Sequence, residues 1–270
     1  MRTPPSSAMC SALLAVMAAA TLAAATPPGR TFDGHPDLSG IWQTMSTANW
    51  DLQDHPAQAG LFFQLGAVGA VPSGQGVVEG GTIPYKPEAL KQKQENAKNR
   101  WKDDPEVKCY MAGIPRANYM PYPFQIVQTP QSILMSYEYA SANRVINMSK
   151  TPVEASVDTW MGTANGRWEG ESLVVDNTGF NDQSWFDRAG DFHSDQLHVT
   201  ERYTPRSADT MMYEATIEDP KVFSKPFKIS MPLYRRVEKN AQVMEYKCVE
   251  FAEEVLYGHL RKQPLTGSNK

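Results

Sequence analysis

From about residue 125 onward the chain alternates apolar and polar positions with a period of two. The segment "SILMSYEYA" (132–140) puts Ile133, Met135, Tyr137 and Tyr139 on one face, the pattern of a half-buried strand. "QLHVTERY", "TMMYEATIED", "PFKISMPLYRRV" and "QVMEYKCVEF" repeat it, separated by short turns without helical stretches. Parallel strands need long, usually helical crossovers, so a doubly wound parallel sheet is excluded. The expected fold is mainly β, an antiparallel barrel, with a β-sandwich as the alternative. Asn165-Gly166, between Trp160 and Trp168, predicts a tight hairpin turn.

Helical periodicity is confined to "KPEALKQKQENAKNRW" (86–101), where Pro87 suits a first turn and the polar positions predict a surface helix. The preceding stretch, 44–84, is rich in glycine and small apolar residues and lacks a sustained period. It reads as a long Gly-rich loop, of the kind that forms lids. "DDPEVKCYMAGIPRANYMPYPF" (103–124) is punctuated by proline and reads as extended. The organisation expected is therefore a signal peptide (1–25), a linker (26–34), one barrel-like domain (35–262) with a loop-plus-helix insertion at 44–108, and a flexible tail (263–270). The signal reading rests on Arg2, the apolar run "ALLAVMAAATLAAA" (12–25) and Ala23-Ala24-Ala25 as a cleavage site. A periplasmic or secreted protein with no membrane anchor after cleavage is the consequence.

Net charge changes this picture little. A formal -4 without a basic block argues against nucleic acid and anionic membrane surfaces as partners. Of the three cysteines, Cys10 falls in the signal. Cys109 and Cys248 remain, an even count that in an exported chain predicts a disulfide, with two buried thiols as the alternative.

"PDLSGIW", "IPYKPEAL", "DPEVKCYMAGIPRANYMPYPFQIVQTP", "WMGTANGRWEGESLVVDNTGFND" and "FHSDQLHVTERYTP" resemble a large family of uncharacterised secreted bacterial proteins, over residues from about 35 to 258. That resemblance implies export and carries no settled activity. Gly40-Ile41-Trp42 is similar to the Gly-x-Trp that opens lipocalin barrels, which implies a lipocalin- or calycin-like barrel with a ligand at its mouth.

Candidate chemistry concentrates in "DRAGDFHSDQLHVTERY" (187–203). His193, with Asp195 or Asp191 to orient it, is the expected general base or acid, and Glu201 a further catalytic carboxylate. On a regular strand Leu197, Val199, Glu201 and Tyr203 share one face and His198 and Arg202 the other. The apolar neighbours of Glu201 predict that it is buried with a partner. His198, Arg202, Tyr122 and Trp185 are the expected substrate-binding groups. Arg116 and Arg235-Arg236 are either anion clamps or partners of the excess carboxylates. His193, Asp195 and His198 could hold a divalent metal, but strand parity splits the set, so no metal ligand is assigned. No Gly-x-Ser-x-Gly elbow, Gly-x-Gly-x-x-Gly or P-loop is present, so acyl-enzyme chemistry and organic cofactors find no support. The function expected is proton transfer (elimination, hydration or isomerisation, as a lyase or isomerase) on a small, largely apolar substrate. The alternatives are a periplasmic carrier of an apolar ligand, a metal-dependent hydrolase and a structural envelope protein.

Overall fold

The computed structural model describes residues 26–260; the expected signal and the tail lie outside them. The alternating segments form nine strands: β1 (Gly40–Thr44), β2 (Phe124–Gln128), β3 (Ser132–Tyr137), β4 (Asn143–Asn147), β5 (Thr163–Glu169), β6 (Ser172–Thr178), β7 (His198–Pro205), β8 (Thr210–Glu218) and β9 (Phe227–Arg235). Each pairs with its neighbour, and β9 closes onto β1 with Trp42 opposite Arg235, giving a closed barrel rather than a sandwich. Closure removes the free edges an open sheet would expose. The Arg235 guanidinium lies 4.4 Å from the Trp42 ring centroid and braces that seam.

The expected antiparallel order fails at one place. β4 and β5 run parallel, Ile146 opposite Ala164, joined by the crossover 148–162. That connection is long enough to return the chain to the starting end, as a parallel pair requires. Asn165-Gly166 consequently lies inside β5, and the hairpin turns instead at Gly170-Glu171. A Cβ on Gly166 would sit 2.4 Å from Met148 Sδ and 2.7 Å from Ile146 Cγ2, so glycine there serves close packing, not a turn. The Asn165 amide, meanwhile, bonds the backbone of Val153 in the crossover.

Two further differences concern helices and the C-terminal segment. α1 (Pro87–Asp103) is the expected surface helix, and a second short helix, α2 (Ala252–Tyr257), follows the barrel. "QVMEYKCVEF" (242–251) is not a strand: β9 already pairs on both sides, so no edge is left to extend. This segment is held by the Cys109–Cys248 disulfide and by Tyr246, packed edge-on to Tyr122 and tilted against Tyr139. A crosslink across a sequence separation of 139 removes denatured-state entropy equivalent to roughly 4–5 kcal/mol. No helix among the described residues is long and apolar enough to cross a membrane.

Side chains fill the barrel interior. Trp42, Phe124, Met135, Tyr137, Tyr203, Met211, Tyr213 and Met231 are all buried. At their centre Glu201 and Arg144 form an ion pair at 2.7 Å, both out of contact with solvent. The Glu201 carboxylate also accepts from Asn118 Nδ2 (2.7 Å), Tyr203 Oη (2.8 Å), Tyr213 Oη (2.9 Å) and Asn177 Nδ2 (2.9 Å). Burial works against this carboxylate, but Arg144 together with the Tyr203 and Tyr213 hydroxyls outweighs it and holds Glu201 below its ordinary value of 4.5. Removing one partner of such a pair strands the other's charge in a low-dielectric interior.

Glu201→Gln should therefore lower the unfolding free energy at pH 7 by about 3–5 kcal/mol in urea titration. Because the folded carboxyl titrates below its unfolded value, the contribution is present above about pH 4.5 and is lost as pH falls through the folded value. The gap between wild type and variant should shrink below that pH; a gap independent of pH would contradict the ion-pair assignment.

Candidate functional site

One end of the barrel is open only to bulky connections. The insertion 45–123, the β6–β7 connection 179–197 and the β8–β9 connection 219–226 all cover it, and most of the chain's unusual charge environments lie there. α1 docks on the β6–β7 connection through Gly190 (φ +89°). A Cβ at that position would lie 2.7 Å from Ala97 N and 2.8 Å from Lys93 O, so only glycine allows this approach. Asn96 then donates to the Gly190 carbonyl at 3.2 Å.

Docking brings three aspartates together. Carboxyl oxygens of Asp51, Asp187 and Asp191 lie within 4.8 Å of one another. Asp187 is held by the backbone N–H groups of Leu52, Ala189 and Asp191, and the Tyr85 hydroxyl donates to Asp191 Oδ1 at 2.7 Å. Asp191 Oδ2 is buried without a hydrogen-bond donor, with Lys93 Nζ 3.7 Å away. Burial, and then the charge of Asp191, push Asp187 well above its ordinary value despite the Leu52 N–H. Asp51 is also raised, chiefly by partial burial, with Asp191 adding to it and the Gln53 N–H opposing it. Burial opposes the Lys93 ammonium, but Asp191, Asp187 and Asp51 together keep it above its usual range. The cluster thus holds three carboxyls beside a single cation.

Three carboxylates at this separation have the donor chemistry of a hard divalent cation site. Here Asp187 commits both oxygens to backbone N–H groups and Lys93 already places a positive charge beside Asp191. The donor set therefore suits a proton and an ammonium better than a metal.

Above the cluster lies a cleft of about 260 Å³ lined by Trp50, Asp51, His55, Lys93, Arg100 and Arg188, among others. Lys93, Ala97 and Arg100 are one face of α1, at spacings of four and three residues. Arg188 is held by Glu106 in a two-pronged pair (2.8 and 2.6 Å), and Glu106 in turn takes Arg116 at 2.7 Å. Burial opposes that carboxylate, yet Arg188 and Arg116 bring Glu106 down to about 2. Both Arg188 and Arg100 lie against the Trp50 ring, at 4.3 and 5.6 Å. The His55 Nδ1–H faces the Gln53 carbonyl at 2.9 Å, which leaves Nε2 as a buried lone pair with no partner. A larger surface depression of about 420 Å³ runs between 79–84 and 225–228, but its Lys228 is paired with both Glu79 and Glu214 and its Lys225 is exposed.

The sequence-derived candidates are dispersed. His193 is buried, with Nε2 on Ser184 Oγ (2.8 Å) and Nδ1 on the Ser194 carbonyl (2.9 Å), packed against Phe180 and Phe186. Burial lowers its pKa, so it stays neutral. Asp195 does not orient it: that carboxylate is at the surface, paired with Lys221. Asp191 turns instead to Tyr85 and the carboxyl cluster. Glu201 is buried with Arg144 inside the barrel, as the parity of its strand required, and touches neither His193 nor His198. His198 and Arg202 project outward beside Asp176 and Glu169. Tyr122 packs on Tyr139 and Tyr246 near the disulfide, and Trp185 is a buried wall residue bridged to Phe192. Strand parity and the buried connections separate these groups, so they do not form one constellation.

Asp51, His55, Lys93 and Arg100 were not singled out from sequence. Lys93, Ala97 and Arg100 share one helical face at i, i+4 and i+7, a signal for the two cleft cations only; Asp51 and His55 lie in the aperiodic 44–84 stretch, where spacing carries no such signal. No family model matches the chain, and no curated protein matches it either.

Asp51 titrates above its unfolded value of 3.8 in the folded protein, so its contribution to stability falls as pH rises through the folded value. Asp51→Asn should then melt at or above the wild-type midpoint at pH 7, with the difference closing below about pH 4. Melting curves across pH read this directly; a variant that melts lower at every pH would mean that Asp51 is a structural anchor.

Proposed function

We propose that the protein is a small-molecule enzyme working by proton transfer without an organic cofactor, and that Asp51 is the group that moves the proton. One observation carries the reading. Asp51 sits on the wall of a cleft while its carboxyl belongs to a three-carboxyl cluster with a single lysine beside it. A carboxyl raised above its ordinary value and open to a cleft is what general acid–base chemistry needs. Partial burial raises that proton affinity, Asp191 adds to it, and Lys93 opposes it. His55 adds an unpartnered acceptor nitrogen at the same wall. Elimination, hydration and isomerisation all share the first step this arrangement suits, removal of a proton from carbon next to an electron-withdrawing group.

The filled barrel interior lends no support to a carrier with its ligand in the lumen. The disulfide and the lack of a membrane-crossing helix among the described residues are compatible with an exported protein.

Solvent deuterium incorporation tests the chemistry without a known substrate. Wild-type protein in D2O is expected to speed the loss of α C–H signal, by proton NMR, from a simple ketone such as levulinate or 2-pentanone. Asp51→Asn should lose about 10²–10⁴ of that acceleration. Equal rates for wild type, variant and buffer would refute the reading.

A further inference from the structure

Arg100 stands apart from the other cations of the cleft. Arg188 is neutralised by Glu106, Arg116 by Asp104 and Glu106, and Lys93 faces Asp191. Arg100 makes no side-chain hydrogen bond and no ion pair within 4 Å among the described residues; it lies against the Trp50 ring, and Glu253, Asp104 and Glu106 act on it only at longer range. It is nevertheless withdrawn from solvent, and its pKa is lowered, first by burial and then by the like charge of Arg188. A guanidinium with five N–H donors that is half-buried, beside a second guanidinium and unpaired, is in an environment that favours an incoming anion.

From this geometry we infer that the cleft takes a small organic carboxylate, its two oxygens on the Arg100 guanidinium and its reacting carbon toward Asp51. The inference deepens the proton-transfer reading by naming a substrate class, and replaces the apolar substrate expected from sequence. A planar fork of donors matches a carboxylate through paired N–H···O bonds, which neither an ammonium nor a neutral amide reproduces. Lys93 and Arg100 leave α1 seven residues apart, about 10 Å along its axis. The ammonium lies over the carboxyl cluster and the guanidinium over Trp50, so the anion-holding end and the proton-transfer end of the cleft are distinct. Trp50 and Asp51, consecutive residues, line the same cleft. A ligand that fits both ends has its carboxylate a few bonds from its acidic C–H. Its negative charge would be compensated by Arg100 alone, since Arg188 and Lys93 already have partners.

Calorimetric titration at low ionic strength tests the assignment with four probes: levulinate and phenylacetate as carboxylates, 2-pentanone as the neutral counterpart, and inorganic phosphate. The carboxylates are expected to bind and 2-pentanone not to. Arg100→Gln should weaken carboxylate binding at least tenfold and Arg100→Lys less, while both variants melt like wild type because glutamine and lysine are good helix formers. Raising the salt should weaken binding to wild type and to Arg100→Lys, and change it little for Arg100→Gln. The inference is overturned if no carboxylate binds, if 2-pentanone binds as tightly as levulinate, if Arg100→Gln binds as wild type does, or if phosphate binds and carboxylates do not. Asp51→Asn separates the two readings. If carboxylates bind in an Arg100-dependent way to wild type and Asp51→Asn alike but no C–H exchange occurs, the carboxylate site stands and proton transfer falls. If exchange proceeds on 2-pentanone and not on levulinate, proton transfer stands and the carboxylate site falls.

Discussion

The Glu201 carboxylate lies at the centre of the barrel without exposure to water, and the rest of the molecule is arranged around its neutralisation. Arg144 reaches it from β4, Asn177 from β6, Tyr203 from its own strand, Tyr213 from β8 and Asn118 from the connection before β2. These bonds span the interior and tie together strands far apart in sequence. They also occupy the volume in which a barrel of this kind would otherwise hold a ligand. An ion pair held by this many partners specifies one arrangement of strands and fills the lumen. The proposed site accordingly lies at the capped end and not in the lumen.

The same electrostatic rules, applied with incomplete compensation, produce the cleft. Arg116, Glu106, Asp104 and Arg188 form a charge chain in which every member has a partner, and its carboxylate is driven down to about 2. Next to it, Asp51, Asp187 and Asp191 share one lysine, Asp51 and Asp187 are pushed up, and Arg100 has no ion-pair partner among the described residues. Burial alone does not distinguish these groups; what differs is whether the neighbouring charges cancel. Charges that cancel hold the fold together. Those left over mark the place where a ligand would complete the set, at a cost in stability that functional sites commonly carry.

The strands were legible in the sequence because a period of two is a local signal. It placed Ile133, Met135 and Tyr137 on the buried face and required a partner for Glu201, and both hold. Identity of that partner was not legible: Arg144 lies 57 residues away, on a strand whose neighbours follow only from closure of the barrel. The Asn165-Gly166 dipeptide misled because a glycine needed for close packing looks the same in sequence as one needed for a turn. The "DRAGDFHSD" segment drew notice through its titratable residues. Its histidine is satisfied by two serines, while its two aspartates, at positions 187 and 191, carry the unusual charge. Asp51 and α1 join them only through tertiary docking on Gly190, which no spacing rule could reveal.

The most direct measurement is a carbon-13 NMR titration of the aspartate carboxyls in labelled protein, with Asp51→Asn used to assign signals. Retention of a proton by the Asp51–Asp187–Asp191 group well above the ordinary carboxyl range is the expected result, with a change in its midpoint when Asp51 is replaced. If every aspartate of the folded protein titrates at or below the ordinary range, the cluster is fully ionised and compensated. The cleft would then have no proton to transfer.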